Sequence, residues 1–153
     1  MAPLEMFHRL YVHLTWTTRD RAPLIDLTLA RFLTQFLRRV GTQERARVLE
    51  IGMVSDHVHL LARLHPTTEI PKLLQRMKGG SAVLGVTPTP GHTGLRWAKG
   101  YSIHSVNPRQ LGEVRAYLRA QPRHHPHLAI AGWSGDTSSE TDSIELEPLP
   151  PSD

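Results

Sequence analysis

Residues 47–64 read RVLEIGMVSDHVHLLARL, two short apolar runs (Arg47 to Val54 and His57 to Leu64) either side of Ser55-Asp56. Strand-type composition around a two-residue turn predicts an antiparallel hairpin. Upstream, His8 to Thr18 alternates, with Leu10, Val12, Leu14 and Trp16 on one face and Tyr11, His13 and Thr15 on the other. That pattern is a strand with one buried face. Arg19-Asp20-Arg21-Ala22-Pro23 breaks it, because proline lacks the ladder donor. Asp26 is placed to cap a helix running to about Val40, with Leu29, Leu33, Phe36, Leu37 and Val40 as its stripe and Gly41 to stop it.

Beyond the hairpin, Thr67 or Thr68 is expected to cap a second helix whose apolar positions are Ile70, Leu73, Leu74 and Met77, and which Gly79-Gly80 ends or kinks. Residues 85–94, rich in Gly and Pro, read as a loop. Leu95 to Val106 is strand-like but interrupted at Gly100, as a bulge or as two short strands. Asn107 caps a third helix with Pro108 at its first position, Leu111, Val114 and Leu118 as its seam, and Pro122 as its end. The order strand, helix, strand, strand, helix, strand matches the split βαβ, ferredoxin-like pattern. The expected fold is therefore α+β: a four-stranded antiparallel sheet with helices on one face, plus a C-terminal helix carrying Tyr117. Residues 1–131 form one expected domain, and residues 132–153, composed of Ser, Thr, Pro and acid, a disordered tail.

Among 153 residues there is no cysteine, which excludes disulfides and thiolate metal sites. Met1 to Leu14 has no long apolar run, and nothing approaches the roughly 20 apolar residues of a membrane span, so a soluble cytoplasmic protein is expected. All 18 Lys and Arg precede residue 124, whereas Asp136, Glu140, Asp142, Glu145, Glu147 and Asp153 lie in the tail. The body thus carries 18 cations against 8 carboxylates, a net of +10. Such asymmetry points to a nucleic-acid partner, although an Arg-rich surface is its plainer explanation.

His57 and His59, two apart on a strand, project from the same face and can chelate a divalent cation as neutral imidazoles. In a chain with 10 histidines the pair could also arise by chance. Tyr117 and Gln121, four apart on a helix, share a face one turn apart. A cation held by the histidines and completed by Gln121 would lie beside the phenol and polarise a phosphate. Taken alone, that helix could simply carry a half-buried Tyr and a surface Gln. Arg19, Arg21, Arg38, Arg39, Arg76, Lys78 and Lys99 are placed to meet phosphates without reading sequence. Trp97 and Tyr101 are candidates to stack on unpaired bases, whereas Trp16 reads as core. His124 and His125, leading into Pro126-His127, read as phosphate contacts or a solvated turn. His13 and His104 read as sheet residues.

MVSDHVHLL around His57 and His59, KGGSA at 78–82, RWAKGYSIHSV at 96–106 and VRAYLRAQPRHH around Tyr117 together resemble the single-tyrosine HUH transposases of the smallest insertion sequences. The resemblance runs in order from Tyr11 to His125. WTTRDRAPLI at 16–25 and the His124-His125 pair look closer to the REP-associated tyrosine transposases. The resemblance implies a ferredoxin-like homodimer that cuts single-stranded DNA near a hairpin with Mg²⁺ or Mn²⁺. By position, His57, His59 and Gln121 would be the metal ligands and Tyr117 the nucleophile, leaving a 5′-phosphotyrosine and a free 3′-hydroxyl before strand transfer. Arg19, Arg21, Arg76, Lys78, Lys99, Trp97, Tyr101, His124 and His125 are the candidate DNA contacts. Two features depart from the pattern: the acidic tail, and Pro122 directly after Gln121. Two other classes remain open: a domesticated single-strand binder without turnover, and a His-metal hydrolase using water.

Overall fold

A computed structural model describes residues 7–85 and 94–135. β1 (Leu10–Thr17) leads through a 3-10 turn to α1 (Leu27–Gln43), β2 (Ala46–Val54), β3 (His57–Leu64) and α2 (Ile70–Leu84). After β4 (Ser102–Val106) come a 3-10 turn at Pro108–Gln110, α3 (Leu111–Arg119) and the single-turn α4 (Gln121–His124). The strands form one antiparallel sheet in the order β2-β3-β1-β4, the ferredoxin-like arrangement.

Strand alternation decides what each face does. Val58, Leu60 and Ala62 join Leu14, Trp16 and the α1 and α2 stripes in the main core. Leu61, Tyr11 and Val106 point the other way and pack beneath Leu111 and Leu118 of α3. β3 is consequently buried on both sides at Leu61, and His57 and His59 share the α3 face.

Several boundaries differ from the sequence expectation, each for a packing reason. Asp26 does cap α1, accepting from the Leu29 N–H at 2.9 Å. Gly41 does not stop that helix: a Cβ there would lie 2.7 Å from the Ala46 carbonyl, so its absence lets β2 start against α1. Gly79-Gly80 neither ends nor kinks α2. A Cβ at Gly80 would lie 2.7 Å from the Phe36 ring, so helix-to-helix contact outweighs the propensity cost. Glu69, not Thr67 or Thr68, occupies the N-cap of α2, while the Thr68 hydroxyl accepts from the His65 N–H and donates to the Arg45 carbonyl. Between Leu95 and Val106 only Ser102–Val106 is strand; Trp97 bridges to Thr18, and Gly100 turns the chain at φ 84°. The expected loop falls largely at 86–93, outside the described residues. The tail from 136 onward also lies outside them. Ile130 is in the main core and Trp133 packs against it, beyond the expected boundary at 131. Among the described residues no helix is long and apolar enough to cross a membrane.

Candidate active site

β3 opens directly after the Ser55-Asp56 turn, and this sets His57. The buried Asp56 carboxylate lies 2.7 Å from His57 Nδ1. A carboxylate only accepts, so Nδ1 carries a proton and Nε2 is the ring nitrogen turned away from Asp56. That Nε2 faces Gln121 Oε1 at 3.3 Å. Gln121 is wholly buried and its Nε2 has no hydrogen-bond partner among the described residues. The His57 Nε2 and Gln121 Oε1 atoms thus meet in a buried space, where a bound cation would find both as ligands.

His59 lies beside this pair, its ring 5.0 Å from that of His57 and nearly perpendicular to it. Its Nδ1 is 2.8 Å from His13 Nε2 and 3.1 Å from the Thr15 hydroxyl, because β1 runs antiparallel with Thr15 opposite His59. In the tautomer that donates from His59 Nδ1 to His13, His59 Nε2 is an acceptor. Burial, then the neighbouring His57, His13 and His125, push the His59 pKa down to about 3, against a smaller raising effect of Gln121. The His13 pKa is also lowered, by burial and then by His104. His59 is therefore neutral at physiological pH, as a metal ligand must be.

Tyr117 comes to these histidines from its own chain. Its ring stands edge-on to His59 with centroids 5.9 Å apart, and the side chain is 45 % exposed. Tyr117 and Gln121 do not share one uninterrupted helix. α3 ends at Arg119, and Gln121 begins α4, whose first turn contains Pro122. Proline is tolerated in a first turn, where its missing N–H costs no helical bond. The break at Ala120 turns Gln121 inward while Tyr117 stays at the surface.

Features without an obvious mark in the sequence hold α3 in place. Glu50, fully buried on β2 next to a bulge, receives Arg115 Nε and Arg119 Nε at 3.1 Å each, from positions flanking Tyr117. Arg115 also donates to the Leu49 carbonyl. A Cβ at Gly52 would lie 2.3 Å from the Leu118 carbonyl and 3.1 Å from Gln121 Cγ, so α3 rests on bare backbone. An acid inside an apolar strand and a glycine two residues on were the available signals.

The remaining candidates divide. His124 lies 5.2 Å from Tyr117 and His125 5.3 Å from His57, ring to ring. Arg19 and Arg21 are exposed at the same end of the sheet, Arg21 reaching within 3.9 Å of Asp56. Lys99 and Tyr101 are exposed before β4. Three others are committed elsewhere. Trp97 donates to Ser81 at 2.8 Å and packs edge-on against Trp16, so it is structural. Lys78 holds the Ala98 and Gly100 carbonyls at 2.8 and 2.5 Å, and burial lowers its pKa. Arg76 pairs with Glu44 and Gln43 at the end of α1.

The residues present fit a cation: two imidazoles and a buried carboxamide whose oxygen faces His57 Nε2 and whose nitrogen has no partner among the described residues. Among the described residues no three His, Cys, Asp or Glu gather into a metal cluster, so any ion would depend on Gln121 and on its substrate.

The family model described as "Transposase IS200 like" matches residues 6–121. The ISDra2 transposase TnpA of Deinococcus radiodurans is 28% identical over 130 residues, covering 78% of this chain and 93% of the relative. A crystal structure from the same species, described as a candidate transposase, superposes with a TM-score of 0.60 at 25% identity over 79% of this chain and 97% of its own. A REP-associated tyrosine transposase bound to a REP hairpin shares the fold, with a TM-score of 0.61 at 14% identity, over 82% of this chain and 74% of its own. With most of its length matched by one family model and its histidine and tyrosine elements converging within one fold, this chain belongs to the IS200-like transposase family and is a DNA transposase.

Proposed function

We propose that the chain cleaves and rejoins single-stranded DNA beside a hairpin, with Tyr117 as the nucleophile. One observation carries the reading: an exposed phenol stands edge-on to the His59 ring, with His57 and the buried Gln121 beside it. The Tyr117 oxygen bonds to the scissile phosphorus and its proton is lost. The bond from phosphorus to the 3′ oxygen breaks, and that oxygen leaves as a hydroxyl once protonated. The 5′ side stays on the protein as a phosphotyrosine, and attack by a different 3′-hydroxyl reverses the step. His57, His59 and Gln121 would hold a divalent cation, Mg²⁺ or Mn²⁺, which supplies Lewis-acid stabilisation of the phosphate charge. Asp56 fixes the His57 tautomer, and His13 orients His59. Arg19, Arg21, Lys99 and Tyr101 offer phosphate and stacking contacts around the opening. The hairpin carried by the REP-associated relative supports a DNA hairpin as the partner.

The test is a labelled hairpin oligonucleotide with a single-stranded flank, incubated with the protein and Mg²⁺ or Mn²⁺. A covalent adduct absent from Tyr117→Phe is expected. Cleavage that survives Tyr117→Phe would instead indicate hydrolysis by water, and binding without cleavage a domesticated binder.

A further inference from the structure

The single turn α4 does more than deliver Gln121. The imidazoles at and just after its C-terminal end lie against rings of the site, His124 beside Tyr117 at 5.2 Å and His125 beside His57 at 5.3 Å. Both spacings fall within the roughly 4.5–7 Å over which aromatic pairs attract. The two contacts differ in orientation. His125 stands perpendicular to His57 at 85°, whereas His124 is only 33° from parallel with the phenol. His59 meets the same phenol at 83°, so Tyr117 is bounded by one crossed ring and one nearly parallel ring.

The phenol has little else to hold it. Tyr117 is 45 % exposed, and its hydroxyl makes no hydrogen bond among the described residues. His124 is exposed too, but the backbone that carries it is anchored on both sides. Its N–H donates to the Ala120 carbonyl at 2.9 Å, and the His125 N–H to the carbonyl of the wholly buried Gln121 at 3.0 Å. Downstream, the Leu128 N–H donates to the His125 carbonyl at 2.9 Å. The Leu128 carbonyl in turn accepts from the Ser55 N–H at 2.8 Å. Ser55 begins the turn that leads into Asp56 and His57. The turn bearing His124 is thereby fastened to the same hairpin end as the imidazoles that Tyr117 faces.

We propose that His124 is a positioning residue, whose ring holds the Tyr117 phenol in the direction from which its oxygen reaches the scissile phosphorus. The inference rests on Tyr117 as the nucleophile and names what aims it. A ring pair of this kind favours the held orientation by about two- to tenfold. Losing that aim matters, because a reacting atom misplaced by about 1 Å costs about 100-fold in rate. The role demands a flat ring rather than an imidazole: His124 acts through Tyr117 and not on the DNA.

Full-length His124→Ala and His124→Phe test it, with a labelled hairpin oligonucleotide carrying a single-stranded flank and Mg²⁺ or Mn²⁺. Because His124 is exposed, both variants should fold. In a single turnover at saturating DNA, His124→Ala should slow adduct formation about tenfold, while His124→Phe stays within about twofold of wild type. Oligonucleotide affinity should be unchanged in both, and His124→Phe should keep the wild-type pH–rate profile. A second readout needs no DNA. Proton resonances of the Tyr117 ring, assigned by their absence from Tyr117→Phe, report the ring current of the neighbouring side chain. Their shift should persist in His124→Phe and decrease in His124→Ala. A wild-type adduct rate in His124→Ala would overturn the proposal, as would a Tyr117 shift that this variant leaves in place. So would His124→Phe as slow as His124→Ala, or with an altered pH profile, since the imidazole itself would then be acting on a proton or a phosphate. A loss confined to affinity would also overturn it, making His124 a DNA contact. Wild-type protein that forms no adduct, with the ring shifts as expected, sinks the tyrosine reading and leaves the ring contact standing.

Discussion

Gly52→Ala should damage the tyrosine's position more than the fold. The new Cβ would lie 2.3 Å from the Leu118 carbonyl, where ordinary contact begins near 3.4 Å. The deficit of about 1.1 Å falls on backbone, which cannot rotate away as a side chain can. α3 must therefore lift off β2, but Arg115 and Arg119 tether it to Glu50, so the strain is shared rather than relieved. Overpacking of this kind costs about 1–3 kcal/mol. Misplacing a reacting group by about 1 Å costs about 100-fold in rate. Gln121 Cγ, 3.1 Å from the same new atom, moves with it. The adduct rate on a labelled oligonucleotide should drop about two orders of magnitude, while urea denaturation records a loss of only a few kcal/mol. Wild-type adduct rate together with wild-type stability in Gly52→Ala would refute the claim that α3 rests on this glycine.

Glu50→Gln removes the charge that both guanidiniums share; since Arg119 is half exposed, the loss should be about 2 kcal/mol, below that of a fully buried pair, and read as a lower denaturation midpoint. With the His59 pKa depressed to about 3, the unfolded chain binds a proton near pH 6.5 that the folded chain refuses. Stability from this group is complete above about pH 6.5 and falls as pH drops toward 3. The lowered His13 acts in the same direction. Melting of metal-free protein should follow that slope, and His59→Asn should flatten it; an identical slope in the variant would remove His59 as its source. Mn²⁺ at about 100-fold over its Kd should add about 2.7 kcal/mol to wild-type stability and nothing to His57→Ala. Equal stabilisation of both proteins would place the ion elsewhere.

Local pattern was enough for the sheet. The hairpin at 47–64, the alternation of 8–18 and the cap at Asp26 are short-range signals, and a strand's period of two already put His57 and His59 on one face. Trp16 read correctly as core for the same reason. Glycines and prolines read less well, because their local preference competes with contacts made far along the chain. Gly41, Gly80 and Gly52 serve close approach to Ala46, Phe36 and Leu118, and Pro122 opens a helix instead of closing one. Polar residues were subject to the same limit: Trp97, Lys78 and Arg76 have partners that no spacing rule reveals.

By itself, then, the sequence determined the order of elements, the paired imidazoles and the presence of a phenol and a carboxamide four residues apart. Only the tertiary structure decided that Gln121 turns inward to face His57 while Tyr117 remains at the surface, and that His13 supports His59. The reason is physical. Periodicity along the chain fixes which side of an element a residue faces, whereas the distance between two elements depends on packing between them, here on Glu50 and Gly52 beneath α3.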